Sequence, residues 1–137
     1  MSADLAAQKA IRARLIATSA VTDLVTATSI LDVNQRPAPM PSIIIGEGQA
    51  LEGGRHQRDD QRIFLDLHVW KKEPGLAGVK AIAGAIRSAI HSARLPNTDG
   101  YQFGDCRVSS TRFLRDPDGE TAHGIVTVES LVVEVAS

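Results

Sequence analysis

The chain has 137 residues, with 15 Lys and Arg against 16 Asp and Glu, and a formal net charge of −1. This length predicts a single domain over residues 1–137, and the balanced charge gives no overall attraction for nucleic acid or anionic lipid. We therefore expect no specific nucleic-acid binding and no membrane association. Cys106 is the only cysteine, which excludes an intrachain disulfide and a cysteine-rich metal site. No segment approaches the ~18 uncharged apolar residues of a membrane span, so we expect a soluble protein without an export signal.

The N-terminal part of the chain predicts helices. Residues 3–17 are rich in alanine, and Ser2 or Asp4 can cap the first turn. A second short helix is expected from Ser19, which can cap it in turn. Three prolines at alternate positions then hold residues 36–41 in an extended conformation that excludes helix.

A strand and a long loop are expected next. Ile43, Ile44 and Ile45 form a β-branched run, which predicts a strand over residues 42–46 that is covered on both faces or lies at a subunit contact. Residues 47–60 contain glycines and charges of both signs without an apolar period. They predict a long mobile loop, in which Asp59 and Asp60 face the solvent.

The central part of the chain predicts a strand that leads directly into a helix. Residues 61–70 alternate between apolar and mixed positions, which is the period of a strand with one apolar face. Pro74 and Gly75 end this strand. From Leu76 onward, apolar residues recur at helical spacing, and this helix is expected to pack on the apolar face of the strand.

The last part of the chain predicts a long hairpin. Residues 103–115 and 123–135 have strand character, and the turn Asp116-Pro117-Asp118-Gly119 separates them. The expected fold class is therefore α+β, with a mainly antiparallel four-stranded sheet, a long C-terminal hairpin, one central helix packed on the sheet, and N-terminal helices.

Motifs that would bind a phosphate or a metal are incomplete in this sequence. Gly46-Glu47-Gly48 follows a predicted strand, but it lacks the third glycine and the following helix of a dinucleotide-binding loop, so we interpret it as a flexible strand exit. Asp116, Asp118 and Glu120 are better explained as part of a turn than as a calcium loop. The four histidines have no metal-ligand spacing.

Groups that would carry catalysis are also missing. Cys106 has no neighbouring histidine in the sequence and is expected to be a small buried hydrophobic residue. His68 is expected to be partly buried with one hydrogen bond. We therefore predict no catalytic residues, no cofactor and no metal, and we expect that the protein is not an enzyme.

Three segments and their order resemble a known family. They are Pro39-Met40-Pro41-Ser42-Ile43-Ile44-Ile45-Gly46, then His68-Val69-Trp70 before a helix with Ala81-Ile82-Ala83, and then Arg115-Asp116-Pro117-Asp118-Gly119 before a strand that ends Val132-Val133-Glu134-Val135. In this succession, which covers nearly the whole chain, the sequence resembles the tail completion or tail terminator proteins of long-tailed phages and of gene transfer agents.

The resemblance implies a structural virion protein that forms a homo-oligomeric ring of six subunits. Such a ring would cap the tail tube, end its polymerisation and provide the head-tail joining surface, with the tail tube protein and the head-tail connector protein as partners. It would be located in the tail or neck of the virion and assembled in the bacterial cytoplasm. Two alternatives remain open: a head-to-tail adaptor that contacts the portal side, and a small soluble ligand-binding domain or enzyme.

Two groups of interaction residues are predicted on this basis. A subunit contact is expected at the isoleucine strand and the hairpin, with Ile43, Ile44, Ile45, Phe113 and Arg115. Contact with the tube or connector is expected from the charged loop and the residues next to it. These are Arg55, Arg58, Asp59, Asp60 and Arg62.

Overall fold

The computed structural model describes residues 2–32, 39–52 and 60–135, and it shows an α+β fold built on one five-stranded sheet. The elements in chain order are α1 (Ala3–Ile16), α2 (Ser19–Thr22), a 3-10 turn (Ala27–Ser29), β1 (Ile30–Leu31), β2 (Ser42–Glu52), β3 (Asp60–Lys72), α3 (Ala77–His91), β4 (Tyr101–Arg115) and β5 (Thr121–Glu134). The predicted α+β class, the N-terminal helices, the central helix and the long hairpin are thus confirmed. No helix in the described ranges is long and apolar enough to cross a membrane.

The sheet has the strand order β1-β2-β3-β5-β4. Strand β1 pairs in parallel with β2, through Ile30 opposite Ile43 and Leu31 opposite Ile44, and all other neighbours are antiparallel. The prediction of four strands was therefore wrong, because β1 has only two residues. Two residues are too few to produce a periodic pattern, and their strand conformation follows from pairing with β2.

The core lies between one face of the sheet and the helices. The alternation in β3 is as predicted, since Ile63, Leu65, Leu67 and Val69 are all at most 3% exposed. The apolar stripe of α3 is buried against this face. Burying one such aliphatic side chain contributes about 1.5–3 kcal/mol, so the helix-on-sheet contact makes a large contribution to stability. The stripe consists of Val79, Ile82, Ala83, Ile86 and Ile90.

The loop predicted over residues 47–60 is wrong at both ends. Strand β2 continues to Glu52 and pairs with β3, from Gly48 opposite Leu65 to Glu52 opposite Gln61. Residues 47–52 are all exposed, so they lack the apolar alternation that would reveal a strand, and backbone pairing alone defines it. Residues 53–59 lie outside the described residues.

Arg14 joins α1 to the C-terminal end of α3. Its guanidinium donates hydrogen bonds to the carbonyl oxygens of Ala89 at 3.1 Å, Ala93 at 2.9 Å and Arg94 at 3.0 Å. A fourth bond reaches the hydroxyl of Ser92 at 3.3 Å. A cation at this position binds carbonyls of the last helical turn and of the residues that follow it, and it lies at the negative end of the helix dipole.

The predicted side-chain caps of the N-terminal helices are not formed. Ser2 occupies the N-cap position of α1 and Thr18 that of α2, and neither side chain makes a cap hydrogen bond. Helix α1 packs instead through its alanines: Ala6 and Ala7 are fully buried and Ala10 is 3% exposed. Small side chains allow the helix to approach the sheet closely.

Candidate interaction surfaces

The sheet has one face that the helices do not cover, which we call the open face. It is formed by the side chains of β3 and β5 that alternate with the core residues. Their partial exposure contrasts with the near-complete burial of the opposite face. The half-exposed members are Phe64, Asp66, His68, Trp70, Ile125, Thr127, Glu129 and Leu131.

Four side chains from three strands form a connected chain on this face. His68 is bonded through Nδ1 to Nε2 of His123 at 2.8 Å and through Nε2 to a carboxylate oxygen of Glu47 at 2.7 Å. The ring of His123 stacks on Trp70, with centroids 3.7 Å apart and planes 7° apart. His68 is thus partly buried as predicted, but it makes two hydrogen bonds instead of one. We call these four residues the histidine chain.

Gly46 is required for this arrangement. A Cβ atom at this position would lie 2.6 Å from Cδ2 and 2.8 Å from Nε2 of His68. The sequence interpretation of Gly46 as a flexible strand exit was wrong, because the residue lies inside β2, where the register shifts between Ile45 and Gly48. The absence of a side chain admits the imidazole of His68.

A group of charged and polar side chains lies toward the other end of the open face. Glu129 accepts hydrogen bonds from Arg62 at 3.2 Å and from Arg107 at 3.3 Å. Asp66 accepts a bond from the hydroxyl of Thr127 at 2.6 Å. Both arginines are about half exposed, at 48% and 57%, so each pair contributes at most ~1 kcal/mol to stability. These charges are accessible to a partner.

Strand β4 forms one edge of the sheet. Residues 109–112 are all exposed, and a long edge strand of this kind presents backbone groups that another chain can pair with. The adjoining turn is stabilised by Asp118, which accepts hydrogen bonds from the backbone of Glu120 and Thr121 and from the hydroxyl of Thr121. The Thr121 hydroxyl is the main reason that the pKa of Asp118 lies below its ordinary value.

The residues predicted for the subunit contact differ in their exposure within the single subunit. Ile43, Ile44 and Ile45 are 0%, 6% and 5% exposed. Ile43 and Ile45 belong to the core, whereas Ile44 lies opposite His68 and lines the same hollow on the other side of the sheet. Phe113 is half-buried against Gly124, and Arg115 is exposed at the end of β4.

The charged loop residues are only partly described. Asp60 was predicted to face the solvent, and this was wrong: it is 1% exposed because it begins β3 opposite Val133. Arg62 lies on the open face. Arg55, Arg58 and Asp59 lie outside the described residues.

The histidine chain was missed because it depends on strand register. His68 and Trp70 are two residues apart in β3, which places them on the same face, but only the pairing of Trp70 with His123 brings the second imidazole to them. The sequence gives no signal for that register. Glu47 was predicted to lie in the loop over residues 47–60, so its hydrogen bond to His68 was not expected.

Chemical groups elsewhere in the described chain do not form a reacting set. No three His, Cys, Asp or Glu side chains there are arranged to hold a metal ion. Cys106 lines a cleft of about 550 Å³ between the end of α3 and β4, and burial raises the pKa of its thiol to about 11. The thiol is therefore protonated at neutral pH and is a poor nucleophile.

An open sheet face and a long edge strand are typical of structural proteins that act by contact with other chains. The comparison with known families agrees. The family model described as tail completion protein gp17 matches residues 9–133, and the chain belongs to this family of structural virion proteins.

Two solved structures share the fold. One is a chain from the "virion of native gene transfer agent (GTA) particle", with a TM-score of 0.84, 19% identity, and coverage of 96% of this chain and 98% of that one. The other is the gp17 protein of bacteriophage SPP1, with a TM-score of 0.64, 20% identity, and coverage of 98% and 94%. No curated protein matches the chain in sequence.

Proposed function

We propose that the protein forms a closed ring on the end of a phage or gene-transfer-agent tail tube, ends polymerisation of the tube there, and offers the head-tail connector a joining surface. The match of the tail completion family to residues 9–133 carries this proposal. The likeness to a chain of a gene transfer agent virion over 96% of the sequence supports it. Six subunits, a place in the virion neck and assembly in the bacterial cytoplasm come from the family resemblance.

The edge of β4 is the subunit contact that we propose. A ring requires an unlike pair of surfaces on each subunit, and the sheet offers two different edges. One is β4, with Phe113 and Arg115 near its end. The other is the part of β2 beyond its pairing with β1, where residues 47–52 are exposed. The three isoleucines of β2 are buried, so they would support this second edge from within the subunit.

Contact with the tube or the connector is assigned to the charged residues around the β2–β3 connection. Arg62 is the member of this group that lies on the open face, where it donates a hydrogen bond to Glu129. Arg55, Arg58 and Asp59 precede it in sequence. Charges of both signs would set register and partner choice more than affinity.

Oligomeric state is the first test. Size-exclusion chromatography with light scattering and negative-stain imaging, alone and with purified tail tubes, should detect rings. Arg115→Glu should reduce the ring fraction, because it reverses a charge beside the proposed edge. Arg87→Glu is the matched control, since Arg87 is exposed on α3. A strict monomer that never associates with tubes would contradict the proposal.

Particles that lack the protein distinguish termination from joining. Overlong tails would support termination of the tube. Tails of normal length beside filled heads would instead indicate an adaptor on the portal side. A small molecule bound in a preformed cavity of the isolated subunit would favour the ligand-binding alternative.

A further inference from the structure

Three ring nitrogens of the histidine chain are engaged in hydrogen bonds within it. Both ring nitrogens of His68 are bonded, one to Glu47 and one to His123. A metal ion would need the same lone pairs, so the geometry does not suit metal binding. His123 is 9% exposed, whereas the side chain of Glu47 is 73% exposed. The histidine chain therefore extends from the solvent, at Glu47, to a side chain that is nearly inaccessible to water, at His123.

Two protonation states satisfy both bonds. With both imidazoles neutral, Nε2–H of His68 donates to Glu47, and Nδ1 of His68 accepts from Nε2–H of His123. One added proton enters at Nδ1 of His123, and the proton on Nε2 of His123 passes along the hydrogen bond to Nδ1 of His68. His68 then carries the positive charge beside Glu47 and donates from both nitrogens, while His123 stays neutral with its proton on Nδ1 and accepts at Nε2. The first proton thus reverses the direction of the bond between the histidines without breaking it.

A second proton leaves the chain unsatisfied. Nδ1–H of His68 and Nε2–H of His123 would then face each other at the present separation of 2.8 Å. Two cationic rings would also lie with centroids 5.0 Å apart. Two donors and two like charges at this distance repel, so the rings must separate.

Charged groups on the neighbouring elements influence the second protonation, which takes place on His123. Burial and the charge of His68 are the main causes that lower the pKa of His123. Arg112 on β4 acts in the same direction, while Asp116 in the hairpin turn and Glu47 on β2 oppose it. Asp66 lies next to His68 on the same face of β3, and Asp32, after β1, lines the same hollow as His68.

We propose that Glu47, His68, His123 and Trp70 form a two-step proton switch on the open face. The first proton reverses the bond between His68 and His123, and the second breaks it, unlinking β3 from β5 at the level of these side chains and placing a cation against Trp70. The open face then carries two more positive charges than before. This proposal concerns the single subunit and does not depend on ring formation.

Trp70 is the only tryptophan in the chain, so its fluorescence reports on the stacked ring. A protonated imidazole in contact with indole quenches its emission. We expect little change in emission at the first proton and a drop at the second, with a midpoint below the ordinary histidine value of 6.5. Long-range nitrogen–proton NMR of the imidazoles should show Nε2 of His123 losing its proton at the first step. A single step without this tautomer exchange would overturn the proposal.

Substitutions test the assignment to individual groups. His123→Gln should abolish the emission step. Gly46→Ala should disturb the tautomers of both histidines, because its methyl group displaces His68, whereas Gly84→Ala should not, since nothing lies within 4 Å of the added atom. An unchanged emission curve in His123→Gln would overturn the proposal.

Glu47→Gln tests the chain without steric change and covers the case in which Gly46→Ala fails to fold. A glutamine amide can either accept from or donate to Nε2 of His68, whereas the carboxylate only accepts. Nε2–H should therefore no longer be the single tautomer of neutral His68 in the NMR spectrum of Glu47→Gln, and an unchanged tautomer would show that Glu47 does not belong to the switch.

Discussion

The carboxylate of Glu73 accepts the backbone N–H of Gly78, with 3.0 Å to Oε1 and 3.1 Å to Oε2. Oε1 also accepts the N–H of Val79 at 3.2 Å. An anion at the N-terminal turn of α3 satisfies donors that have no partner within the helix and lies at the positive end of its dipole. Glu73 therefore helps to determine the residue at which α3 begins after β3.

Replacing Glu73 should measurably destabilise the fold. We expect Glu73→Ala to lower the free energy of unfolding by about 1–2 kcal/mol, as the loss of a helix cap does. Glu73→Gln should cost less, because it keeps an acceptor but not the charge. Urea unfolding measures both, and Glu120→Ala, at an exposed hairpin position, is the control. Equal stability of Glu73→Ala and the wild type would contradict the capping role.

Replacing Arg14 should loosen the opposite end of α3. Arg14→Met loses all four hydrogen bonds to the helix end, and we expect a loss of about 1–3 kcal/mol. Arg14→Lys should be intermediate, because an ammonium group cannot reproduce the guanidinium fork. Thermal unfolding provides the measurement, with Arg87→Met as the exposed control. The capping assignment fails if Arg14→Met and Arg87→Met melt together.

A charge in the apolar stripe of α3 should unfold the protein. Ile82 is 2% exposed, so Ile82→Asp buries a carboxylate without a partner at a cost of several kcal/mol, about the size of the total stability. Ala81→Asp, one residue away on the exposed side of the helix, should fold normally. Circular dichroism distinguishes the two, and a native spectrum for Ile82→Asp would overturn the placement of this face.

Stability should fall on mild acidification. Burial is the main cause that lowers the pKa of His123 below 6.5, so between the lowered pKa and 6.5 the unfolded chain binds more protons than the folded one. The stability is thus fully present above pH 6.5 and falls as the pH decreases, by at most ~1.4 kcal/mol per pH unit for one proton. Glu47 adds a loss in the same direction below 4.5, because hydrogen bonds from its own backbone and from His68 lower its pKa.

Urea unfolding at a series of pH values tests this dependence. His123→Gln should flatten the curve between mildly acidic and neutral pH, because no imidazole then titrates at that position. An equally steep curve in His123→Gln would assign the dependence to other groups.

The connection between β2 and β3 should be dispensable for folding but needed for attachment to tails. We expect a Gly-Ser linker of equal length in place of residues 53–59 to leave the melting temperature nearly unchanged, since the paired residues of β2 and β3 up to Glu52 and from Asp60 are kept. It should abolish co-sedimentation with tail tubes, because Arg55, Arg58 and Asp59 are removed. Retained binding would remove these three residues from the proposed contact. The replacement must end before Asp60, which is buried.

Sequence patterns were sufficient where side-chain burial sets the structure. The alternation in β3 and the stripe of α3 identify both elements, because each must bury one face. They were insufficient for residues 47–52, whose side chains are exposed on both faces of the strand, and for β1, which has only two residues.

The contacts that define the histidine chain depend on which residue of β5 lies opposite Trp70. Hydrophobic periodicity gives the face on which a residue lies, but not its partner on the next strand. For the same reason, the ion pairs of Glu129 could not be predicted from the sequence.

The two margins of the sheet differ. Strand β1 pairs with two positions of β2, whereas most of the fifteen residues of β4 are exposed. Copies that join through unlike margins must all point the same way around a circle. Such a circle is polar, with one side that differs in shape and charge from the other. A subunit built on this plan can recognise two different neighbours, one above and one below, without needing a second domain.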